Sequence, residues 1–213
     1  MTRRGAAKPR TRPPEERRGE LMNAAQRLFL RHGVDSTTVE QITAAAGVAK
    51  GTFYLHFTSK EAVRSALGER FGQQLLAGIQ SAIAGQDPQD WRGRLAAWAA
   101  AAIAGYLQSI RLHDVLFYGR PPTREDLVDN VVIDHLAGLL QAGGEAGAWS
   151  VDDPRFTAVF IFSGCHGVVD DAWSRGKRVD RILLAQRLER LCFRAVGLRP
   201  APPAGTAPVV SSL

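Results

Sequence analysis

Residues 38–57 read TVEQITAAAGVAKGTFYLHF, and this segment constrains the fold more than any other part of the chain. Apolar residues recur at helical spacing on both sides of Gly47, a residue suited to a tight turn between two short helices. A capping box is expected at the start of the first helix, with Thr37 as the cap and Glu40 reaching back to it. The inward-facing residues of this helix are expected to be Val39, Ile42 and Ala46. The segment therefore predicts a helix-turn-helix.

The rest of the chain is also divided into predicted helices by glycine, proline and capping residues. The composition is rich in Ala, Leu, Arg and Gly, which favours helix over sheet. We expect an all-α fold with about nine helices and no strand. Caps are predicted at Ser59, Thr123 and Asp153, and a stop at Gly197. The predicted parts are a disordered basic arm at 1–14, a three-helix domain with the helix-turn-helix at 15–60, a helical body at 61–198 and a disordered tail at 199–213.

The positive charge of the chain is concentrated at one end. The net charge is +6, and residues 1–60 hold 11 Lys and Arg against 5 Asp and Glu, a balance of 11 − 5 = +6. The remaining residues hold 27 − 11 = 16 basic and 21 − 5 = 16 acidic side chains, a balance of zero. A basic end on a neutral body indicates a polyanionic partner, with a solubilising charge bias as the alternative.

Other features argue for a protein of the cytoplasm. Two cysteines are too few for a disulfide framework and lack metal-ligand spacing, so we expect buried free thiols, no metal and no cofactor. No apolar stretch follows the basic N-terminus, as a secretory signal would require. The longest apolar stretch, residues 95–107, is shorter than the roughly 20 residues that span a bilayer. We therefore expect no membrane association.

The segment from Thr38 to Glu61 resembles the DNA-binding domain of the tetracycline-repressor (TetR) family. The pattern of that family is T-V-x-x-I-A-x-x-A-G-V-S-x-G-T-x-Y-x-H-F-x-x-K-E. The matching residues are Thr38, Val39, Ile42, Ala46, Gly47, Val48, Gly51, Thr52, Tyr54, His56, Phe57, Lys60 and Glu61. Thr43 replaces a frequent alanine, and its hydroxyl is expected to bond to its own helix backbone. Ala49 replaces a frequent serine, which is expected to remove one helix cap.

The resemblance implies roles for single residues of the helix-turn-helix. Phosphate contacts are expected from Thr38, Tyr54, His56 and Lys60. Base-edge contacts in the major groove are expected from Lys50, Gly51 and Thr52, and a thymine-methyl contact from Leu55. Phe53 and Phe57 are expected in the core. The basic residues of the arm either enter the minor groove or belong to a solvated tail; they are Arg3, Arg4, Lys8, Arg10 and Arg12.

The resemblance also implies that two copies bind a palindromic double-stranded operator and that a small-molecule effector releases them. The last two helices, expected at 154–175 and 180–197, are the dimerisation helices of the family. The candidate dimer residues are Ile161, Gly164, Cys165, Val168, Ala172, Leu184, Leu188, Leu191 and Ala195, with an intrachain core face as the alternative. The candidate effector residues are Trp98, Phe117, His135, Phe162, His166, Asp170 and Trp173, with core packing as the alternative for each aromatic side chain. The expected function is that of a transcriptional repressor.

Two other functions, an enzyme and an architectural DNA-binding protein, each fit part of the sequence. The neighbours Cys165 and His166 suggest a nucleophile and base, but adjacent side chains on a helix diverge by about 100°. The sequence contains no Gly-rich phosphate loop, HExxH or GxSxG motif, so we expect no enzyme. An architectural protein that binds DNA without sequence preference would use the same charges, but it would not need so large a neutral helical body.

Overall fold

A computed structural model describes residues 13–117, 130–175 and 180–198 of the chain. Within these ranges all regular structure is helical, in agreement with the predicted all-α fold. The nine described helices are α1 Pro14–His32, α2 Val39–Ala46, α3 Lys50–His56, α4 Lys60–Ala84, α5 Trp91–Gln108, α6 Ile110–Phe117, α7 Val131–Glu145, α8 Pro154–Ser174 and α9 Arg181–Ala195. The predicted tail, the Thr123 cap and almost all of the basic arm lie outside the described residues.

The described residues form two compact units. The first comprises residues 13–71 and 111–117, and the second comprises 72–110, 130–175 and 180–198. Helix α4 begins in the first unit and continues into the second from Gly72 onward. The helix-turn-helix domain predicted for 15–60 lies in the first unit, which also takes in the first half of α4 and nearly all of α6.

The first unit is organised around the apolar face of α1. Pro14 stands in the first turn of that helix, where the missing N–H of proline leaves no helical hydrogen bond unmade. Ser59 accepts a hydrogen bond from the backbone N–H of Ala62 and so caps α4, as predicted. The buried apolar side chains of this unit include Leu21, Met22, Ala25, Phe29, Ile42, Phe53, Phe57, Val63 and Leu67. Burial of this set fixes how α2 and α3 sit against α1.

The second unit is a bundle in which α5 packs against α9 and α7 packs against α8. Its helices begin at side-chain caps, which satisfy backbone N–H groups of the first turn. The caps are Asp90 for α5, Asn130 for α7, Asp153 for α8 and Asp180 for α9. The Asp153 cap agrees with the prediction, and Gly197 after α9 has the positive φ of 77° that suits a glycine stop.

Helix length and composition bear on membrane insertion. Across the described ranges, no helix taken singly is both long and apolar enough to cross a bilayer. The bent pair formed by α5 and α6 passes on length and composition alone, and buried core helices pass the same test.

Candidate nucleic-acid interface and effector cavity

The turn between α2 and α3 depends on Gly47. This residue adopts the left-handed conformation, with φ 66° and ψ 34°, which favours glycine because it has no Cβ. Thr43, one turn earlier, is buried, and its hydroxyl donates to the Glu40 carbonyl at 3.0 Å. The departure from the family's alanine therefore leaves no unsatisfied polar group, as the sequence predicted. Ala49 precedes α3 without a side-chain cap, also as predicted.

The predicted cap of α2 was placed one residue too early. Thr38 is the cap: its hydroxyl accepts from the Gln41 N–H at 3.2 Å, and Gln41 Oε1 accepts from the Thr38 N–H at 2.9 Å. Thr37 is buried instead and donates to the Gly33 carbonyl at 2.7 Å, behind the end of α1. The sequence allows two capping boxes, Thr37 with Glu40 or Thr38 with Gln41. Burial of Thr37 leaves Thr38 and Gln41 as the pair that forms. Glu40 is thereby left out of the cap.

Glu40 forms an ion pair with the first residue of α3. Lys50 Nζ lies 2.5 Å from Glu40 Oε1, and both side chains are more than half exposed. The hydrogen bond from Lys50 lowers the pKa of the Glu40 carboxyl, and the same bond raises the pKa of the Lys50 ammonium. Both groups are therefore charged at neutral pH, and a carboxylate lies beside a side chain expected to meet base edges.

Helix α3 divides its side chains between the core and solvent. Phe53 and Phe57 are buried with ring centroids 5.9 Å apart, in agreement with their predicted core role. Tyr54 is 53% exposed and Leu55 is 82% exposed. Tyr54 packs edge-on against Phe53 with ring centroids 5.3 Å apart, and with Leu55 it forms the exposed outer side of α3.

Gly51 is open on its outer side. A Cβ added at Gly51 would meet no atom within 4 Å, so its own packing does not require glycine. Thr52 and His56 are only partly exposed on the same helix. A glycine at the second position of α3 leaves room for a partner to approach the backbone.

Lys60 has partners within the chain. Its ammonium donates to the Val34 carbonyl at 2.7 Å and to the Asp35 carbonyl at 3.3 Å. The side chain thus connects the first turn of α4 to the loop between α1 and α2. An ammonium has three donors, so one N–H is left for the predicted phosphate contact.

A small cavity lies inside the second unit. Its volume is about 20 Å³, which is room for about one water molecule. It is lined by Leu75, Trp98, Ala102, Ile103, Tyr106, Val132, Phe162, Cys165, His166 and Val169. Three of the predicted effector residues, Trp98, Phe162 and His166, are therefore brought together. The lining residues that were not predicted for any site are Leu75, Ala102, Ile103, Tyr106, Val132 and Val169.

Few polar groups border this cavity. The Tyr106 hydroxyl donates to Asp170 Oδ1 at 2.6 Å, which places the predicted Asp170 next to a cavity residue. The His166 ring lies against Tyr106 and Phe162, with centroids 4.6 and 4.2 Å away. Burial lowers the pKa of His166, so the ring is neutral at pH 7. Within the described part of the chain, the fully buried Trp98 has no acceptor for its Nε1–H.

Besides Asp170, three predicted effector residues do not line the cavity. Phe117 belongs to the first unit, where its ring packs against His113 and Phe71 with centroids 5.0 and 6.1 Å away. His135 on α7 is half-buried, and burial lowers its pKa. Trp173 is 47% exposed near the end of α8. It lies on the same side of the helix as Phe162 and His166, but about two turns further along than His166.

The predicted dimer residues fall on two different faces of α8 and α9. Ile161, Cys165, Leu184 and Leu188 are buried within the second unit, so in the single chain they form core. The thiols of Cys165 and Cys192 hydrogen bond to each other, which lowers the pKa of Cys165 and raises that of Cys192. The other predicted residues are exposed or partly exposed; they are Gly164, Val168, Ala172, Leu191 and Ala195.

Sequence reasoning missed the most exposed apolar residues of α8. Phe156 is 71% exposed and Phe160 is 66% exposed. They continue through Gly164 to Val168 at intervals of four residues, which places all four along one side of the helix. The spacing of four residues is present in the sequence, but the predicted dimer set includes only Gly164 and Val168 of this row, together with residues of the buried stripe.

The chain was compared with known proteins. Residues 21–67 match the family model described as bacterial regulatory proteins, tetR family. The HTH-type transcriptional activator FasR of Mycolicibacterium smegmatis is 36% identical over 71 residues, which cover 33% of this chain and 32% of FasR. The HTH-type transcriptional repressor KstR2 of Rhodococcus jostii is 42% identical over 62 residues, which cover 27% of this chain and 30% of KstR2. The matched part thus spans about a third of the length of these curated relatives.

Solved structures resemble the chain over most of its length. The fatty acid degradation regulator FadR from Bacillus halodurans has a TM-score of 0.67 and 26% identity, and covers 90% of this chain and 100% of its own. FadR from Bacillus subtilis, solved in complex with stearoyl-CoA, has a TM-score of 0.66 and 22% identity, and covers 84% of this chain and 98% of its own. The likeness in fold therefore extends well beyond the helix-turn-helix.

Proposed function

Because the chain belongs to the TetR family of bacterial regulators, we propose that it is a transcriptional repressor that a small-molecule effector releases from a palindromic operator. The observation that carries the proposal is the exposed surface of α3. Tyr54 and Leu55 are exposed on a helix that is anchored in the core by Phe53 and by Phe57 directly after its end. A rigid helix with an unpartnered outer face fits the major groove of DNA.

The proposed DNA contacts are of two kinds: phosphate contacts that position the domain, and base contacts that recognise the sequence. Thr38, Tyr54, His56 and Lys60 contact phosphates and fix the orientation of the domain. Base edges are met by residues at the start of α3, namely Lys50, Gly51 and Thr52, and Leu55 packs against a thymine methyl. A protein with these contacts works on the chromosome, and we place it in the cytoplasm.

The proposed effector site is the cavity of the second unit. Two solved relatives in fold are complexes, FadR with stearoyl-CoA and SmeT with triclosan. In this chain the lining is mainly apolar, and the Nε1–H of Trp98 has no acceptor among the residues that the structure describes. We therefore propose a largely apolar, uncharged effector with one hydrogen-bond acceptor. Because the cavity has room for about one water molecule, such an effector favours a conformation in which the cavity is larger.

The proposed dimer uses the outer faces of α8 and α9. Phe156, Phe160 and Val168 on α8 and Leu191 on α9 are exposed in the single chain. A two-fold axis would bring these helices against their copies as a four-helix bundle and cover the apolar side chains. A dimer also supplies the two recognition helices that a palindromic operator requires.

The test is selection of DNA from a library of randomised duplexes by the purified full-length chain. We expect one palindromic sequence whose half-sites are about one helical turn, roughly 34 Å, apart. Leu55→Ala should weaken binding to the selected duplex, while Ile182→Ala, which alters a similarly exposed side chain on α9, should not. Equal affinity for the selected and a scrambled duplex would favour an architectural DNA-binding protein instead.

A further inference from the structure

The ion pair between Glu40 and Lys50 serves no evident purpose in folding. It joins the first turn of α2 to the first residue of α3, and the two side chains are 61% and 56% exposed. Exposed ion pairs contribute little to stability because solvent screens them. Glu40 is also released from capping, since Gln41 completes the capping box of α2. The position of this carboxylate therefore calls for an explanation outside the fold.

We propose that Glu40 is a specificity-determining residue of the DNA interface, which holds Lys50 on base edges and biases it toward a G·C base pair. This inference rests on the proposed role of α3 as the recognition helix. Glu40 acts partly by positioning Lys50, and partly by presenting a carboxylate to the groove itself.

The hydrogen-bonding capacity of the pair matches a G·C edge. An ammonium has three donors, and one of them is used by Glu40 Oε1. Two remain, and guanine presents two acceptors in the major groove, O6 and N7. Adenine presents a donor, its N6 amino group, where guanine has O6, so it repels the ammonium. The carboxylate can also accept from the N4 amino group of the paired cytosine, which is a contact typical of Glu.

The charges of the pair restrict where Lys50 binds. A lysine without a carboxylate beside it is drawn to any phosphate, and that contact carries no sequence information. A carboxylate at the same place is repelled by phosphates, so Glu40 weakens binding to DNA in general. Only the favoured base pair offsets this repulsion. The Glu40–Lys50 pair thus lowers the affinity for DNA in general and raises the discrimination between sequences.

The experiment compares Glu40→Gln with Glu69→Gln in the full-length chain. Glu69 is an exposed residue of α4, so its replacement removes the same charge outside the helix-turn-helix. Each protein is given the same library of randomised duplexes. Affinities are then measured for the wild-type-selected duplex, for that duplex with its favoured guanine changed to adenine, and for a scrambled duplex, over a series of salt concentrations.

Glu40→Gln should bind the scrambled duplex more tightly than wild type. Its discrimination of guanine from adenine should fall about tenfold per half-site. Its plot of log affinity against log salt should steepen by about 0.9 per half-site, because Lys50 then takes a phosphate. Glu69→Gln should leave discrimination and slope unchanged. In a Lys50→Met background, Glu40→Gln should cause no steepening, because the cation that would take the phosphate is gone.

Three results would overturn the inference. Unchanged discrimination and slope in Glu40→Gln would do so while leaving the proposed function intact. A lowered melting temperature with an unchanged sequence preference would assign Glu40 a structural role only. If wild type selects no sequence at all, the proposed function fails, and the role of Glu40 fails with it.

Discussion

Replacement of Gly143 by alanine should destabilise the second unit through one identifiable clash. A Cβ at this position of α7 would lie 2.0 Å from Cζ2 and 2.4 Å from Cε2 of Trp149. The indole of Trp149 is buried, donates to the Leu140 carbonyl at 2.7 Å and packs edge-on against Trp91. The ring has little freedom to yield, because its N–H and its edge are both held.

The size of the effect follows from these contacts. Overpacking of a well-filled site costs about 1–3 kcal/mol, and an indole N–H that loses its buried partner costs about 1–3 kcal/mol. Gly143→Ala should therefore lower the free energy of unfolding by about 2–6 kcal/mol. Gly138→Ala is the matched control, because a Cβ there meets nothing within 4 Å on the same helix. It should raise the free energy of unfolding by about 0.5–1 kcal/mol, as alanine is the better helix former.

The melting temperatures of both variants are measured at one fixed protein concentration, since the apparent stability of any chain that self-associates depends on concentration. About 1 kcal/mol corresponds to roughly 2–4 °C for a chain of this size. Gly143→Ala should melt roughly 4–24 °C below wild type, and Gly138→Ala roughly 1–4 °C above it. Equal melting temperatures for wild type and Gly143→Ala, or a shift of the same sign in both variants, would refute the described packing of Trp149.

Three further predictions concern the proposed phosphate contact of Lys60, the proposed dimer contact of Phe160 and the cavity residue His166. Lys60→Met should weaken binding to all duplexes and flatten the salt dependence by about 0.9 per half-site; an unchanged slope in fluorescence anisotropy would exclude the phosphate contact. Phe160→Glu should yield monomers in sedimentation experiments, because it places a charge on the outer face of α8, and an unchanged mass would count against that face. Burial holds the pKa of His166 below its ordinary value of 6.5, so below about pH 6.5 the unfolded chain binds a proton that the folded chain does not. The melting temperature should therefore fall as the pH drops from about 7.5 to about 5.5, and His166→Gln should reduce that fall; equal slopes in the two proteins would contradict it.

The helix-turn-helix was predictable because its signals are local. Gly47 marks the turn, and the apolar spacing around it gives the inward faces. The error in the cap has the same origin, since Thr37 and Thr38 are each followed three residues later by a residue that can complete a capping box. Only the burial of Thr37 and its hydrogen bond to the Gly33 carbonyl distinguish them, and the spacing of the capping-box pattern indicates neither.

The second unit was less predictable because its helices are apolar on more than one side. On α8, the stripe of Ile161 and Cys165 and the stripe of Phe156 and Phe160 both repeat at four residues. Periodicity shows that each stripe is a face, but does not show which one the chain covers itself. Cavity residues such as Val132 escaped prediction for a related reason, since an apolar residue beside a cavity has the same pattern as one in solid core.

The position of α8 offers a physical link between the proposed effector site and the proposed dimer face. Its Phe162 and His166 line the cavity, while its Phe160 and Val168 lie on the outside of the same helix. An effector larger than one water molecule must displace part of the lining, and a helix is stiff enough to carry that displacement to its other side. Coupling of this kind is reciprocal, so an effector that alters dimer affinity must itself bind monomer and dimer with different affinities. Comparison of effector binding to wild type and to Phe160→Glu would measure that difference directly.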